Sequence, residues 1–430
     1  MIDLKRNERI QIKNGSKAEV IQKIGEGGQG AVYKVHYARE DYAMKLYFPR
    51  AIKKKNEFYS NLENNIVNGS PNESFLWPLY ITEMRNGTFG YLMRLRPARY
   101  EDFSKILTAK VQMNSDMAII NAALHLVNAF KDLHSKGYSY QDLNDGNFFI
   151  NPENGDVLIC DNDNVAPYGQ NVGVDGKSRY IAPEVVTGKS RPNVHTDRFS
   201  LAVVLFMLFF RGHPFEGAKT ASHCCLTEQL EKEYYGVHPL FCYDPKDESN
   251  RPVRGIHNNV IRLWNMYPRY IQDAFIKVFT AGIKDVNERL TEREWTNILL
   301  RYRNSTIKCS CGCYNTFEDE TQAKLTCADC GTEINRPLVL TINKNKIFLY
   351  PETRLYTYQI EDSQDLFQEA GMVIINKANK SLWGLKNLSK RGWIVEYSSG
   401  EQKSVPYGGV LFLLKGTKIF FGNEYSGEIN

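Results

Sequence analysis

The sequence predicts an α+β body of two lobes, followed by a region built from β-strands. The stretch AEVIQKIGEGGQGAVYKVHYAREDYAMKLYF, which begins at Ala18, predicts three strands around a glycine-rich turn. Helical periodicity follows in four segments, near 115–136, 196–210, 259–280 and 292–302. A strand-rich beginning followed by a helical bulk is typical of an α+β fold.

The pattern changes again after about Leu338. Short apolar runs alternate there with Gly, Asn and Ser turns, which predicts a β-sandwich without helices. The expected strands are LVLTI, KIFLY, LYTYQI, GMVII, GWIVEY, VLFLL and KIFFG. Together with the cysteine-rich segment before them, these patterns divide the chain into predicted domains at 1–303, 304–336 and 337–430.

Length and composition exclude several classes of protein. The chain has 430 residues, 42% apolar and 24% charged, as expected for a soluble globular protein of two or three domains. A net charge of +5 does not favour a nucleic-acid binder. The run FSLAVVLFMLFF from Phe199 is too short to cross a bilayer, so we expect a buried helix and no membrane contact. The polar N-terminus shows no signal peptide, so we expect a cytoplasmic protein.

Five of the nine cysteines crowd into the stretch from Cys309 to Cys330. An uneven count, no secretion signal and a tight cluster favour a metal site in a reducing compartment over a set of disulfides. The spacing predicts a zinc ribbon, because tetrahedral sites with four cysteine ligands are usually structural. The acidic segment FEDETQ inside the cluster disfavours nucleic-acid binding by this ribbon.

The zinc ligands follow from two halves of the ribbon. Cys327 and Cys330 form one half, in which a glycine follows the second thiol. The other half offers three thiols where two are needed. We favour Cys309 and Cys311, because a glycine also follows Cys311, and keep Cys313 as the alternative to Cys311.

A nucleotide site is indicated near the N-terminus. Gly25, Gly27 and Gly30 have the spacing G-x-G-x-x-G, and their backbone could approach phosphates closely because no Cβ intervenes. The motif lies between two strands rather than before a helix, which argues against a dinucleotide fold and for a hairpin over ATP. Lys45 follows inside an apolar strand, where a charged side chain is costly unless it is paired.

Together, this hairpin and lysine resemble the nucleotide-binding lobe of a protein kinase. The resemblance implies that Lys45 holds the α- and β-phosphates of ATP and pairs with a glutamate of the helix KNEFYSNLENNIV. Glu57 and Glu63 are both open as this glutamate. The positions that the resemblance assigns to nucleotide binding are Gly25, Gly27, Gly30, Val32, Lys45, Glu57, Met93, Asn147 and Asp161.

The catalytic loop of the family reads H-R-D-L-x-x-x-N, and this chain reads YQDLNDGN from Tyr140. By resemblance, Asp142 would orient the attacking hydroxyl and Asn147 would hold Mg²⁺. Asp161 stands where the Mg²⁺-binding acid of D-F-G belongs, and Asp163 could substitute for it. Catalytic roles are therefore expected for Asp142 and Lys45, and magnesium binding for Asn147 and Asp161.

Segments further along the chain resemble the family as well. The stretch GKSRYIAPE matches the segment that ends in A-P-E, with Glu184 as its acid. By resemblance, Asp197 in the next helix would support the backbone of the catalytic loop, and Arg289 in NERLTEREW would pair with Glu184. The matches run in the family's order over about 300 residues, which is highly specific.

Several departures bear on activity. Gln141 replaces the arginine of H-R-D, which normally contacts a phosphate on the activation loop. Asn144 replaces a common lysine, and Asn162 and Asp163 replace the Phe and Gly of D-F-G. The base and magnesium residues are kept, so we expect an active enzyme. The alternative is an ATP-binding pseudokinase scaffold that acts through its C-terminal module.

The C-terminal region resembles a degenerate forkhead-associated (FHA) domain. LKGTKIFFG is similar to that family's strand pair L-x-x-G-D-x-I-x-I-G, although the G-R and S-R-x-H signatures of phosphothreonine binding are missing. Trp383 and Trp393 are expected in its core. The full prediction is a two-lobed protein kinase fold, a small zinc ribbon and an all-β FHA-like sandwich.

The resemblance implies a bacterial-type kinase that phosphorylates Ser/Thr hydroxyls with ATP, Mg²⁺ and a structural Zn²⁺. Expected partners are ATP and a protein substrate. Similar domain architectures accompany von Willebrand-type and metal-dependent phosphatase partners, so the resemblance also implies such a partner here. The C-terminal module would serve partner binding or regulation.

Overall fold

The computed structural model describes residues 4–85, 87–170, 176–319, 321–422 and 424–430. It divides into two compact units, Met1–Trp264 with Asp273–Thr296, and Asn265–Gln272 with Asn297–Asn430. Residues 265–272 and 297–303, which the sequence predicts in the first domain, belong to the second unit. Each unit is described by itself.

The first unit begins with an antiparallel sheet of six strands. The strands are β1 (Arg9–Gln11), β2 (Lys17–Glu26), β3 (Gly30–Tyr37), β4 (Glu40–Tyr47), β5 (Tyr80–Ile81) and β6 (Gly90–Arg94). Their order in the sheet is β1-β2-β3-β4-β6-β5, so β4 is an interior strand. Alternation along β3 and β4 places Tyr33, Val35 and Met44 in one buried cluster of the sheet.

Helices dominate the rest of the chain before the cysteine cluster. They are α1 (Lys55–Asn68), α2 (Phe103–Leu107), α3 (Asp116–Ser135), α4 (Pro183–Val186), α5 (Val194–Phe210), α6 (Ala218–Ala221), α7 (Glu228–Lys232), α8 (Asn258–Trp264), α9 (Arg269–Lys284) and α10 (Glu292–Ser305). Short strands lie between them, namely β7 (Glu101–Asp102), β8 (Tyr138–Ser139), β9 (Phe148–Ile150), β10 (Val157–Ile159) and β11 (Ala166–Pro167). The single helix expected near 259–280 is two helices, because Pro268 favours a break before α9.

Helix α5 is the most deeply buried helix segment of the first unit. The residues from Phe199 to Phe210 are all buried, which explains why the longest apolar run of the sequence has no polar face. Asn193 caps the helix by accepting hydrogen bonds from the amides of His195 and Thr196. In the described part of the chain, no helix is both long and apolar enough to span a membrane.

A buried charge cluster joins three helices of the first unit. His134, near the end of α3, contacts Asp197 of α5 through Nε2 at 3.1 Å and Glu292 of α10 through Nδ1 at 2.9 Å. Arg198 donates from Nε to the same Glu292 carboxylate at 2.8 Å. Burial lowers the pKa of His134, but the two carboxylates more than offset this and raise it from 6.5 to about 9.

The second unit contains two hairpins and two larger antiparallel sheets. Its strands are β12 (Thr306–Lys308), β13 (Tyr314–Thr316), β14 (Lys324–Thr326), β15 (Glu333–Asn335), β16 (Val339–Ile342), β17 (Asn345–Phe348), β18 (Arg354–Tyr356), β19 (Glu369–Ile375), β20 (Trp383–Asn387), β21 (Trp393–Glu396), β22 (Gln402–Val405), β23 (Val410–Phe412), β24 (Lys418–Phe420) and β25 (Ser426–Ile429). The larger sheets have the orders β17-β16-β25-β24-β21-β22 and β18-β19-β20-β23. Both contribute to one buried cluster around Trp393.

The expectation of a helix-free C-terminal region is wrong at one place. The run LYTYQI begins as β18 but continues as the short helix α11 (Thr357–Ile360). Gln359 accepts a hydrogen bond from the amide of Tyr356 at 2.7 Å, which helps close the turn. Trp393 is fully buried, whereas Trp383 is half-buried and packs against Tyr350.

We predict that the stability of the first unit falls as pH rises through the folded-state pKa of His134. Because that pKa is raised, the protonated ring stabilises the fold below about pH 6.5 and loses this effect by about pH 9, on the order of 3 kcal/mol. Urea denaturation should be followed by helical circular dichroism, which arises mainly from the first unit. His134→Gln should show a flatter pH dependence over this window, and parallel curves for the two proteins would contradict the prediction.

Candidate active site

The glycine-rich turn joins β2 to β3 at the edge of the candidate site. The amide of Gly27 donates to the carbonyl of Gly30 at 2.9 Å and closes the turn. A Cβ added to Gly30 would lie 2.3 Å from the carbonyl oxygen of Leu46 on β4, so this position requires glycine. A Cβ added to Gly27 would meet nothing within 4 Å, so its backbone is open to a close approach.

The sheet places the other expected nucleotide-binding positions beside this turn. Val32 on β3 lies directly opposite Lys45 on β4. Met93 on β6 pairs with Ala43, two residues before Lys45 on the same strand. Both side chains therefore line the region of the sheet around Lys45.

Lys45 is almost fully buried and contacts two carboxylates that follow β10. Its ammonium group lies 2.9 Å from Asp163 Oδ2 and 3.2 Å from Asp161 Oδ1. Burial would lower the pKa of Lys45, but Asp163 and Asp161 raise it above its ordinary value. The lysine is therefore a paired cation, as its position inside an apolar strand requires.

The two aspartates differ in their access to solvent. The side chain of Asp161 is 36% exposed, whereas that of Asp163 is fully buried. Asp163 also accepts hydrogen bonds from the hydroxyl groups of Tyr47 and Tyr91, the latter at 3.1 Å. The sequence motifs do not predict these tyrosines, although Tyr47 is two residues from Lys45 on β4 and Tyr91 lies opposite Lys45 on β6.

The glutamate expected to pair with Lys45 is elsewhere in the structure. Glu57 is exposed and bonds to Lys54 at 3.0 Å, and Glu63 pairs with Lys13. Among the described residues, neither glutamate contacts Lys45. The buried face of α1 carries Phe58 and Leu62 together with two asparagines, so the register of the helix turns both acids away from the lysine.

The catalytic-loop acid Asp142 is surrounded by amides. Asn144 donates to its Oδ1 at 3.1 Å, and Asn147 donates to its Oδ2 at 3.3 Å and to its carbonyl at 2.8 Å. Asn164 reaches Oδ2 at 3.5 Å. Burial raises the pKa of Asp142 to about 6, although the bonds from Asn144 and Asn147 act in the opposite direction.

Asp197 holds the backbone of this loop. Its carboxylate accepts hydrogen bonds from the amides of Tyr140 at 2.6 Å and Gln141 at 3.1 Å. Gln141 has a φ of 73°, a backbone conformation that is uncommon for a residue with a side chain. Its side-chain amide donates to the carbonyl of Gln170 at 2.7 Å, which ties the catalytic loop to the segment that follows Asp163.

A second buried ion pair links Glu184 of the A-P-E segment to Arg289. The guanidinium of Arg289 donates to both oxygens of Glu184, at 2.8 and 2.9 Å. It also donates to the carbonyl groups of Gly282 at 2.8 Å and His195 at 3.0 Å. A buried guanidinium needs partners for its five N–H donors, and these four contacts use four of them, from all three nitrogens.

In the second unit, four cysteines bring their sulfur atoms together. Cys309, Cys311, Cys327 and Cys330 all lie with Sγ atoms within 4.8 Å of one another. The Sγ of Cys313 instead contacts the carbonyl oxygen of Tyr314 at 3.6 Å. The two β-hairpins β12–β13 and β14–β15 carry these cysteines at or beside their turns.

The family model described as "Protein kinase domain" matches residues 18–291, which is more than half of the chain. The chain belongs to the protein kinase family. It is a protein kinase by this match and by its similarity to curated protein kinases. The match ends before the cysteine cluster and the C-terminal strands.

Three relatives illustrate the similarity of this kinase to curated proteins. Protein kinase YegI of Escherichia coli (strain K12) is 24% identical over 71% of this chain and 48% of its own length. Ribosomal protein S6 kinase alpha-2 of Homo sapiens is 27% identical over 49% of this chain and 29% of its own length. Probable serine/threonine-protein kinase CCRP1 of Zea mays is 34% identical over 22% of this chain and 15% of its own length. The chain spans less than half the length of each of these relatives.

Proposed function

We propose that this kinase transfers the γ-phosphate of Mg²⁺-ATP to Ser/Thr hydroxyls of a protein substrate. The observation that carries the proposal is the arrangement of Asp142 with Asn147, and of Asp161 with Lys45. A base, two oxygen donors for a metal and a paired lysine are the parts that phosphoryl transfer needs. The names of relatives, such as that of CCRP1, support Ser/Thr as the acceptor class.

The residues present fit a magnesium ion. Asn147 and Asp161 supply the hard oxygen donors that Mg²⁺ prefers. The carboxylate of Asp161 is partly exposed and therefore accessible to an ion. The carboxylate of Asp163 already accepts hydrogen bonds from Lys45, Tyr47 and Tyr91. When bound, the ion would neutralise charge on the phosphates. Asp161 and Asn147 would hold it, and Asp163 would not.

Asp142 is the proposed acceptor for the proton of the attacking hydroxyl. Its carboxylate is held by Asn144 and Asn147, so it has a fixed orientation before substrate binds. Burial raises the pKa of Asp142 to about 6, which makes it a stronger base than an ordinary aspartate and leaves it ionised at neutral pH.

The link between Gln141 and Gln170 supports a proposal about activation. An uncharged amide holds the segment after Asp163 where the family resemblance places an arginine that contacts a phosphate. The segment thus has an anchor that needs no phosphate. We propose that this kinase is active without phosphorylation of its activation segment.

The four-cysteine cluster fits a zinc ion. The Sγ atoms of Cys309 and Cys330 are 3.7 Å apart, and those of Cys311 and Cys327 are 3.6 Å apart. Four sulfurs at about 2.3 Å from one tetrahedral zinc would lie roughly 3.8 Å from each other. We propose that Cys309, Cys311, Cys327 and Cys330 hold a structural zinc and that Cys313 does not.

The sheets of the second unit support an interaction module related to FHA domains. Two antiparallel sheets of six and four strands share one core, and the buried Asn387 fixes the β20–β21 connection by donating to the carbonyls of Arg391 and Val405. We propose that this module binds a partner or regulates the kinase. A von Willebrand-type or metal-dependent phosphatase partner is part of this proposal. The missing phosphothreonine signatures argue for another mode of binding.

The first prediction of the proposed function concerns Asp142. Asp142→Ala should lower transfer from γ-³²P-labelled ATP by about 10²–10⁴-fold, as expected for loss of a general base. In the wild type, activity should rise as pH increases through about 6, because only the ionised carboxylate accepts a proton. Asp41→Asn, an exposed acid paired with Lys34, is the control. Transfer at the wild-type rate by Asp142→Ala would contradict the role of Asp142 as the base. Absence of transfer by the wild type would favour the pseudokinase scaffold.

The second prediction concerns activation. Phosphatase treatment, Ser178→Ala and Tyr168→Phe should each leave the transfer rate unchanged, because the Gln141 contact needs no phosphate. Gln141→Ala should lower the rate, because it removes the bond to Gln170. A large loss on dephosphorylation or in Ser178→Ala would overturn the proposal.

The third prediction concerns zinc. Elemental analysis should find one zinc per chain, which Cys327→Ser abolishes and Cys313→Ser preserves. Chelation should increase hydrogen exchange in β12–β15 and also in β17, because Phe317 stacks on Phe348 at 5.3 Å in a cluster that includes Cys309 and Cys327. Retention of zinc by Cys311→Ser with its loss in Cys313→Ser would show that the ligand choice is wrong.

A further inference from the structure

Asp163 is a buried carboxylate to which the family resemblance gives no role except as a substitute for Asp161. A fully buried carboxylate is costly to keep ionised unless charges and donors surround it. Here the ammonium group of Lys45 and the hydroxyls of Tyr47 and Tyr91 all converge on its two oxygens. The three donors arise from two strands, so the sheet itself is built to hold this acid.

The strand geometry explains why the three donors point the same way. Lys45 and Tyr47 are two residues apart on β4, so their side chains leave the same face of the sheet. Tyr91 lies directly opposite Lys45 in the antiparallel β4–β6 pair, which places its side chain on that face too. Burial, and then the charge of Asp163, raise the pKa of both tyrosines well above the ordinary range, so both remain O–H donors.

Helix α1 contacts the same segment without a charge. Asn61 and Asn65 both donate from Nδ2 to the carbonyl of Val165, at 2.8 and 2.9 Å. Val165 follows directly on the 3₁₀ turn Asn162–Asn164 that contains Asp163. The helix therefore holds the backbone of the segment by hydrogen bonds from side-chain amides, while strand β4 holds the carboxylate of Asp163.

We propose that Asp163 is a positioning residue that takes the place of the helix glutamate as the permanent partner of Lys45. The inference rests on the proposed function, in which Lys45 contacts ATP phosphates and Asp161 holds a metal. Asp163 keeps Lys45 paired and aligned whichever ligand Asp161 takes. It also fastens the start of the activation segment to β4, so that the lysine and the metal-binding acid keep a fixed spacing.

Transfer kinetics provide the first test. Asp163→Asn should lower kcat/KM for ATP by about a hundredfold, because the buried lysine loses its main counter-charge. Asp41→Asn, which removes a surface carboxylate from the same sheet, is the matched control and should leave the kinetics unchanged. Glu57→Gln and Glu63→Gln should also transfer normally. A large loss in either glutamate variant, with normal transfer by Asp163→Asn, would overturn the inference in favour of the helix.

The second test does not depend on transfer. Hydrogen exchange of the nucleotide-free protein, followed by mass spectrometry, reports how firmly the segment around Asp163 is held. In Asp163→Asn, exchange in the peptide that covers residues 160–166 should increase relative to Asp41→Asn, because the ion pair that holds this segment to β4 is lost. Unchanged exchange in this peptide would overturn the inference, and a general loss of structure would raise exchange in the helices of the first unit as well.

One outcome separates the inference from the proposed function. If the wild type transfers no phosphate while hydrogen exchange around Asp163 increases in Asp163→Asn as expected, the proposed function fails and the pairing of Lys45 with Asp163 stands. If Asp163→Asn does not fold, Tyr91→Phe removes one donor to Asp163 and keeps the charge pair. Tyr91→Phe should then lower kcat/KM several-fold without loss of folding, and wild-type kinetics in this variant would count against the inference.

Discussion

The buried positive charge of Lys45 constrains how the first unit is arranged around its candidate active site. Lys45 is only 6% exposed, so its ammonium has little contact with water and must be balanced by protein groups. Asp163 and Asp161 provide the balance, and both follow directly after strand β10. Lys45 on the interior strand β4 thereby determines the position of the segment that follows β10.

Several other contacts depend on that placement. With Asp163 held by β4 and β6, the following residues meet the amides of Asn61 and Asn65 on α1, and Asn164 comes within reach of Asp142. Burial raises the pKa of Asp142 to about 6, and the charge of Asp161 acts in the same direction. The pKa of Asp142, the proposed base, therefore depends in part on Asp161, the proposed metal ligand.

The motifs of the catalytic unit could be predicted from the sequence because they combine fixed spacing with a fixed order along the chain. The interval from Asp142 to Asn147 is an example, since a tight loop determines which side chains meet. Gly30 is another, since a close approach of β4 admits no Cβ. The partner of Lys45 could not be predicted in this way, because it depends on the rotational register of α1 and on a cross-strand neighbour, Tyr91.

In the second unit, the apolar strands could be predicted from the sequence, whereas β20, β22 and β25 could not. Strand β22 is mostly exposed at the edge of its sheet, and β20 and β25 carry glycines, so neither kind has the alternation that identifies a strand. Helix α11 has no apolar stripe that would predict it, and a hydrogen bond from the amide of Tyr356 to the side-chain oxygen of Gln359 closes its turn. The cysteine spacing, by contrast, left only one ligand open between Cys311 and Cys313.

We propose that two aspartates, two residues apart, have separate roles: Asp161 binds the metal and Asp163 pairs with Lys45. Electron paramagnetic resonance of Mn²⁺, which replaces Mg²⁺ in such sites, tests it most directly. In the presence of ADP, Asp161→Asn should weaken Mn²⁺ binding by at least about tenfold, whereas Asp163→Asn should weaken it much less, because it removes no metal ligand. Equal weakening in both variants, or wild-type Mn²⁺ affinity in Asp161→Asn, would contradict the account.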